Sequence, residues 1–393
     1  MLQRFIVLFL VGLSFLFVQV IESDAAKKKK KTRNSPPWSS FSTNLNKQNP
    51  LVGKIWDVEE KIFLTPFELA GRLAAFDYIL MGEIHDNPDH HRLQAWLIKN
   101  IAYLDRHPAV VMEMINLSQA PMVDDFHAAR KRAWREGYQK AKKQGRLKKW
   151  RKEQGTRRKF GPTKQAEEFG PAIGWQGSGW PSWSYYQPNA LAAFARHLKI
   201  KAGNADRADT RIISRNGFTT LGGPRQKNLG LDKSLEKSLQ SALMDEIKTS
   251  HCNLMPARAL VPMVNVQRYR DAVMAQQLRK VGLTSGAVLI AGNGHVRNDR
   301  GVPWYLNTRD PDATHASLMI IEVDAQTSAP DGLIPRDGEG KPVADFVWYT
   351  PGKKRPDPCK GMAKHFKKPG IKKTDTKKQA SAAEIPATTK RKN

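Results

Sequence analysis

The chain has 393 residues, 40% of them hydrophobic, which is enough for a buried core and excludes a wholly disordered protein. A formal charge of +28 points at first to a nucleic-acid or anionic-surface binder. Its distribution points elsewhere: residues 27–33 carry +6, 130–159 carry +13 and 353–393 carry +11, so the rest is near neutral and no specific nucleic-acid site is expected.

Residues 1–25 read as a secretory signal peptide, with a positively charged start, an apolar run at 5–21, and Ser23 and Ala25 ahead of a cleavage point before Ala26. An uncleaved anchor is the alternative, because about 17 apolar residues sit at the lower edge of a bilayer span. No cysteine follows the run, so a lipoprotein anchor is not expected and the protein reads as exported, periplasmic or envelope-associated. Residues 26–50, rich in Lys, Ser, Pro and Asn, read as a basic flexible linker. Residues 51–352 read as one α/β domain carrying an exposed basic helical insertion at 127–170, and 353–393 as a basic disordered tail. In an exported chain the two cysteines, Cys252 and Cys359, are expected to pair; two unrelated thiols are the alternative.

Within the domain, short apolar runs between turn residues predict strands at 76–81, 109–114, 287–291, 317–323 and 345–348. Helical spacing predicts helices at 88–104, 189–198, 231–246 and 266–281. The first has Leu93, Trp96, Leu97 and Ile101 on one face, with Asn87 as cap and Pro88 at its first position. The last turns Ala272, Ala275 and Leu278 toward the sheet. Trp134, Tyr138 and Ala141 give the insertion a helical first half, too basic to be core. Strands alternating with helices predict an α/β fold with a mostly parallel sheet flanked by helices.

The polar residues that follow these strands are the informative ones, because open α/β sheets place ligands at the carboxyl ends of their strands. Gly82-Glu83-Ile84-His85-Asp86-Asn87 follows the first run, Glu113 lies at the end of the second, and Gly292-Asn293-Gly294-His295 follows the third. Imidazoles and carboxylates gathered there suit a divalent metal held by His85, His295 and Glu83, or acid–base chemistry by Glu83, His85, Glu113 and His295. A lone Gly-x-x-His is more often structural; two of them, each after an apolar strand, favour a site. His90 and His91 open the next helix: capping and surface solvation are the alternative to a site role for both, and His91 is the better candidate for facing the site. Trp175, Trp180, Trp183, Tyr185 and Tyr186 fall within twelve residues interleaved with Gly and Pro, which read as a loop, either a lid packed on the body or the wall of a pocket for a flat apolar ligand.

These residues also carry a family resemblance. Gly82–Pro88 with His91 and Gln94, Val111-Met112-Glu113-Met114, Gly179-Trp180-Pro181, Tyr186-Gln187-Pro188, Asn204, Arg270-Asp271-Ala272-Val273-Met274-Ala275 and Ala291-Gly292-Asn293-Gly294-His295-Val296-Arg297 resemble the ChaN-like haem-binding uptake family, related to the Tiki and erythromycin-esterase group, over about residues 50 to 350. The resemblance implies an exported haem-binding protein of haem or iron uptake, able to dimerise around its ligand, with Tyr186, Tyr185, His91 and Trp180 at the haem and Tyr186, Tyr185 and His85 as candidate axial ligands in that order. The wider superfamily implies the alternative, a Glu/His or metal-assisted hydrolase. The basic insertion and tail are additions to the family pattern, and weak attraction to an anionic membrane surface is the role expected of them.

Overall fold

Continuous apolar runs, buried on both faces, build the centre of the sheet, as parallel strands covered by helices do. The computed structural model describes residues 36–104, 106–155, 161–282 and 284–366. The expected signal peptide and the tail beyond residue 366 lie outside the described residues. The chain divides after Ser40, and of the first unit only residues 36–40 are described, with a 3-10 turn at Pro37–Ser39.

In the second unit, the described strands are β1 (Ile55–Asp57), β2 (Ile62–Leu64), β3 (Tyr78–Glu83), β4 (Ala109–Asn116), β5 (Ile200–Asn204), β6 (Ala287–Gly292), β7 (His315–Glu322) and β8 (Phe346–Thr350). They form one sheet in the order β2-β1-β8-β7-β3-β6-β4-β5. All neighbours from β8 to β5 are parallel, and β1 and β2 add antiparallel pairs at one edge. The helices in chain order are α1 (Pro66–Leu73), α2 (Pro88–Ile101), α3 (Ala120–Lys143), α4 (Leu147–Gly155), α5 (Pro162–Ala172) and α6 (Trp183–Ala195). There follow α7 (Arg207–Asn216), α8 (Gly223–Leu229), α9 (Lys237–Ser250), α10 (Ala257–Gly282), α11 (Val302–Arg309) and α12 (Pro358–Phe366). Among the described residues no helix is long and apolar enough to cross a membrane.

Side chains alternate across a strand, so parity assigns them to faces. Leu80, Val111 and Leu289 join Ala272, Val273 and Leu278 of α10 in one core cluster. On the other face α2 and α6 pack together, with Asn189 donating to Gln94 and Gln94 to the Met81 carbonyl. Asn87 caps α2 by accepting from the Asp89 N–H, as its position before Pro88 predicts.

The α/β architecture agrees with the sequence, and four expectations shift. β1, β2 and β5 are additional strands. Ser182 caps α6, so Trp183, Tyr185 and Tyr186 are helical rather than part of a loop. The packed body begins at Phe41 rather than 51: Ser42 and Thr43 bind the buried Asp89 carboxylate through backbone and hydroxyl, and Asn46 and Asn49 donate to the carbonyls of Val323 and Asp324. The start of the tail is also ordered, since Arg355 binds both Asp86 and Glu322 and α12 is tied to the body by a Cys252–Cys359 disulfide. Polar composition does not distinguish a segment solvated by water from one whose hydrogen bonds go to the body. The basic insertion is helical in α3 and α4, as expected, but the 127–170 segment is not exposed throughout: its end forms α5, whose apolar Ala166 and Phe169 are buried.

Candidate functional site

Because β3, β6 and β4 are consecutive in the sheet, Glu83, the loop after Gly292 and Glu113 emerge side by side. Parity then separates the carboxylates. Glu83 shares the face of Ile79 and Met81 and meets α2 and α6, whereas Glu113 shares the face of Val111 and meets α10. His85, just beyond β3, spans the two.

On the α2/α6 face, Glu83 is 2% exposed. Its Oε1 accepts from the Tyr186 hydroxyl at 2.7 Å and from His85 Nδ1 at 2.9 Å. His91 donates Nε2–H to the His85 carbonyl at 3.0 Å and sets Nδ1 3.0 Å from Glu83 Oε2, out of line for a hydrogen bond, so that contact is Coulombic. Burial opposes ionisation of Glu83, but the imidazoles of His91 and His85 outweigh it and hold the carboxyl well below its ordinary range. Burial pushes the Tyr186 phenol up, and the Glu83 charge pushes it further. For His85, burial works against the charged ring, but the hydrogen bond it donates to Glu83 and the charge of Glu113 prevail and raise its pKa.

On the α10 face, Glu113 is saturated. Oε1 accepts from Arg270 at 2.5 Å and lies 3.2 Å from His295 Nε2; Oε2 accepts from the Gly292 N–H at 2.8 Å. Arg270 also donates to Asn204 at 3.1 Å. His295 Nδ1 meets Asp271 Oδ1 at 2.5 Å, with Gln267 beside it at 3.1 Å. Burial alone would keep His295 neutral, but two flanking carboxylates push it up to about 9, and burial raises Asp271. Glu113, Arg270, His295 and Asp271 thus form a buried cluster whose charges cancel.

Two glycines permit this approach. A Cβ at Gly292 would stand 2.9 Å from His85 Nε2, and one at Gly82 would stand 2.2 Å from Asn293 Oδ1. His85 is a third exposed, and its ring meets Trp180 edge-on at 4.8 Å. Beside Trp180 a cleft of about 340 Å³ is lined by Asn204, Arg207 and Arg270.

The sequence-predicted residues therefore divide. Glu83, His85, His91 and Tyr186 come together, as do Glu113 and His295, and His85 Nε2 lies 3.9 Å from Glu113. Trp175 and Trp183 pack with Tyr186 and Phe169, so much of the aromatic run is packing; Trp180 lines the cleft, and Tyr185 is partly exposed beside His91 and Lys353. His90 is fully buried rather than solvated: Nδ1 accepts from the Ile84 N–H, Nε2 donates to Thr350, and burial first, then His91, lowers its pKa to about 3. The metal set does not form. Both nitrogens of His295 face carboxylates, Glu83 Oε1 is taken by Tyr186 and His85, and among the described residues no group of three or more such side chains suits an ion. Asp271, Arg270, Asn204 and Gln267 were not assigned roles from the sequence. The available clue was the charged pair Arg270-Asp271 next to the sheet-facing Ala272 of an otherwise apolar helix face.

The family model for haem-binding uptake proteins of the Tiki superfamily, ChaN, matches residues 69–306. The chain belongs to this family. Among solved structures, one described as cofacial haem binding to ChaN of Campylobacter jejuni is 19% identical, with 75% of this chain and 95% of that chain covered and a TM-score of 0.50, a likeness of fold. The type III effector HopBA1 (11% identity, 73% and 94% covered, TM-score 0.33) and a mutant of the erythromycin esterase EreC in its open conformation (12%, 78% and 81%, 0.32) are also similar. At those scores neither likeness bears on this chain's chemistry. No curated protein matches the chain.

Proposed function

We propose that this ChaN-family chain is an exported haem-binding protein of haem uptake, holding haem at the mouth between His85 and Trp180, with the protein side of the iron bond supplied by His85. The observation that carries the reading is the hydrogen bond from His85 Nδ1 to Glu83. A ligating histidine usually donates its second ring nitrogen to a carboxylate, which fixes the ring and strengthens the other lone pair. Here that other nitrogen, Nε2, makes no hydrogen bond to a described residue and is 3.9 Å from Glu113, beyond hydrogen-bond range. Haem supplies an iron centre and a flat apolar face. Trp180 offers an aromatic wall for that face, and Arg207 and Arg270 line the adjacent cleft, where carboxylates are complementary.

This reading reverses the sequence-based order of axial ligands. Tyr186 is buried and donates to a carboxylate, and its raised pKa disfavours the phenolate that iron requires. Tyr185 is the second candidate, and Lys353 Nζ lies 5.6 Å from its ring centroid. Hemin titrated into the full chain gives a Soret shift that His85→Ala removes and Tyr186→Phe retains. No shift in the wild type overturns haem binding; an unchanged shift in His85→Ala overturns the ligand. A flat ligand open on one face also favours a second copy as its cover, so light scattering with and without hemin tests the dimer. Detection in the periplasmic fraction tests export.

The hydrolase reading rests on His85 lying between Glu83 and Glu113, where a general acid–base residue would be held. Turnover of ester or peptide substrates that Glu83→Gln abolishes would favour it over binding alone.

A further inference from the structure

At the other end of β5 from the site, a cleft of about 520 Å³ is walled by α3, α5, the end of α6 and the start of β5. It gathers Arg130, Lys131, Lys199 and Lys201 with His127 and His197. Like charges in one concavity repel unless something offsets them. The protein supplies two acids there: Asp124 binds Lys201 at 2.6 Å, and Glu168 pairs with Arg130. Lys131 and Lys199, both exposed, have no carboxylate partner among the described residues. His127 registers the same field. Burial is the main cause of its lowered pKa, and Lys201 and Lys199 push in the same direction. His197 follows α6 in left-handed backbone, φ 57°, where glycine is the unstrained residue. Phe194 and Leu198 add an apolar wall.

Above this cleft the basic insertion forms a hairpin. Up to Arg130, α3 packs on the body, with Phe126 against Phe169 and Phe194 and His127 donating to the Ile200 carbonyl. Beyond it, Trp134, Tyr138 and Trp150 hold α3 to α4 at ring distances of 5.4 to 5.8 Å. Residues 130–152 contain twelve Lys or Arg and a single acid, Glu136. Such a density of one sign raises the local concentration of polyanions and speeds their encounter.

We propose that the cleft is a phosphate-binding site and that the hairpin is its electrostatic collector. Lys131 and Lys199 supply the point charges that phosphate oxygens take, Arg130 and Lys201 flank them, and Phe194 receives the apolar part of a phosphate ester. The phosphate is either free, as in a small phosphate ester or pyrophosphate, or the headgroup of an anionic lipid.

Two double variants of the full chain with equal charge change separate a site from general attraction. Lys131→Glu/Lys199→Glu alters the cleft, and Lys148→Glu/Lys149→Glu alters the hairpin tip. All four residues are exposed, and matching thermal melts check the fold. Calorimetry with inorganic pyrophosphate, and sedimentation with phosphatidylcholine vesicles with and without phosphatidylglycerol, are the readouts. The cleft variant weakens binding by about tenfold or more, whereas the tip variant mainly reduces its salt dependence. Lys131→Arg/Lys199→Arg keeps the affinity. Pyrophosphate binding identifies a soluble ligand; binding only to phosphatidylglycerol vesicles identifies a headgroup. Equal weakening in both glutamate variants, no binding to either probe, or tighter binding of duplex DNA that the cleft variant leaves intact overturns the site.

Discussion

Replacing His295 tests the buried charge cluster through its pH dependence. His295 titrates at about 9 in the folded protein against 6.5 for a free imidazole. The folded state therefore binds one more proton than the unfolded state between those values, and the proton's contribution is complete below pH 6.5 and lost as pH rises through 9. A shift of this size corresponds to about 3 kcal/mol, with a steepest slope of about 1.4 kcal/mol per pH unit. In His295→Gln, the buried Glu113 and Asp271 keep only the partly exposed Arg270 as counter-charge, which places the loss near neutral pH at about 3 to 5 kcal/mol. Urea unfolding of the oxidised chain, followed by tryptophan fluorescence from about pH 6 to about 9.5, gives the stability gap between wild type and variant. Lysines and tyrosines titrating near the upper end are common to both proteins and cancel in the difference. The gap narrows by most of that 3 kcal/mol across the range. A gap that stays constant refutes a charged His295 held by its two carboxylates.

Ligation through His85 requires its proton to leave, and its pKa is raised, so hemin affinity rises from about pH 6 to about 8; a Soret titration that weakens with pH contradicts it. Gly82→Ala drives a methyl into Asn293 and Val296 and costs about 1 to 3 kcal/mol. Gly71→Ala, in α1 with nothing within 4 Å of the new methyl, stabilises by about 0.4 to 1 kcal/mol, and paired thermal melts check the opposite signs. The Cys252–Cys359 bridge spans 107 residues, so Cys252→Ser/Cys359→Ser costs at most about 5 kcal/mol in the chain-entropy account, read from urea midpoints. A double-serine protein as stable as wild type would show that the bridge secures only the terminal helix.

The central strands were legible because burial on both faces leaves continuous apolar runs, and β3, β4 and β6 keep that signature up to Glu83, Glu113 and Gly292. β1 and β2 are three residues each, too short to express a period of two, and β5 carries Lys201 and Gly203 in five residues. The strand-end residues of the site were legible for the same reason as the strands they follow. Their depth was not. Tyr185 and Tyr186 are neighbours in sequence, but on a helix successive side chains diverge by about 100°, so one is partly exposed and the other is buried against Glu83. Read as loop residues they were interchangeable. Asp271 lies 24 residues before His295 on a different element, and no local pattern announces that they meet.

The two halves of the site answer to different constraints. Around Glu113 the strong acceptors and donors are matched: Arg270 and the Gly292 N–H serve the carboxylate, and Asp271 accepts the hydrogen bond from His295 Nδ1. Apart from Arg270, which also lines the cleft, a cluster so completed has little left to offer a ligand, and a buried charge deprived of its partner is expensive, so substitutions there act first on stability. Around Glu83 the matching stops at His85, whose Nδ1 is engaged while Nε2, at the rim beside Trp180, makes no hydrogen bond to a described residue. His85→Ala removes a partly exposed ring and leaves Glu83 with Tyr186 and His91, so its effect falls on binding. A stability loss at His295 without one at His85, and a hemin loss at His85 at unchanged stability, is therefore the pattern expected if one carboxylate–imidazole cluster holds the sheet edge in place and the other presents it to a ligand.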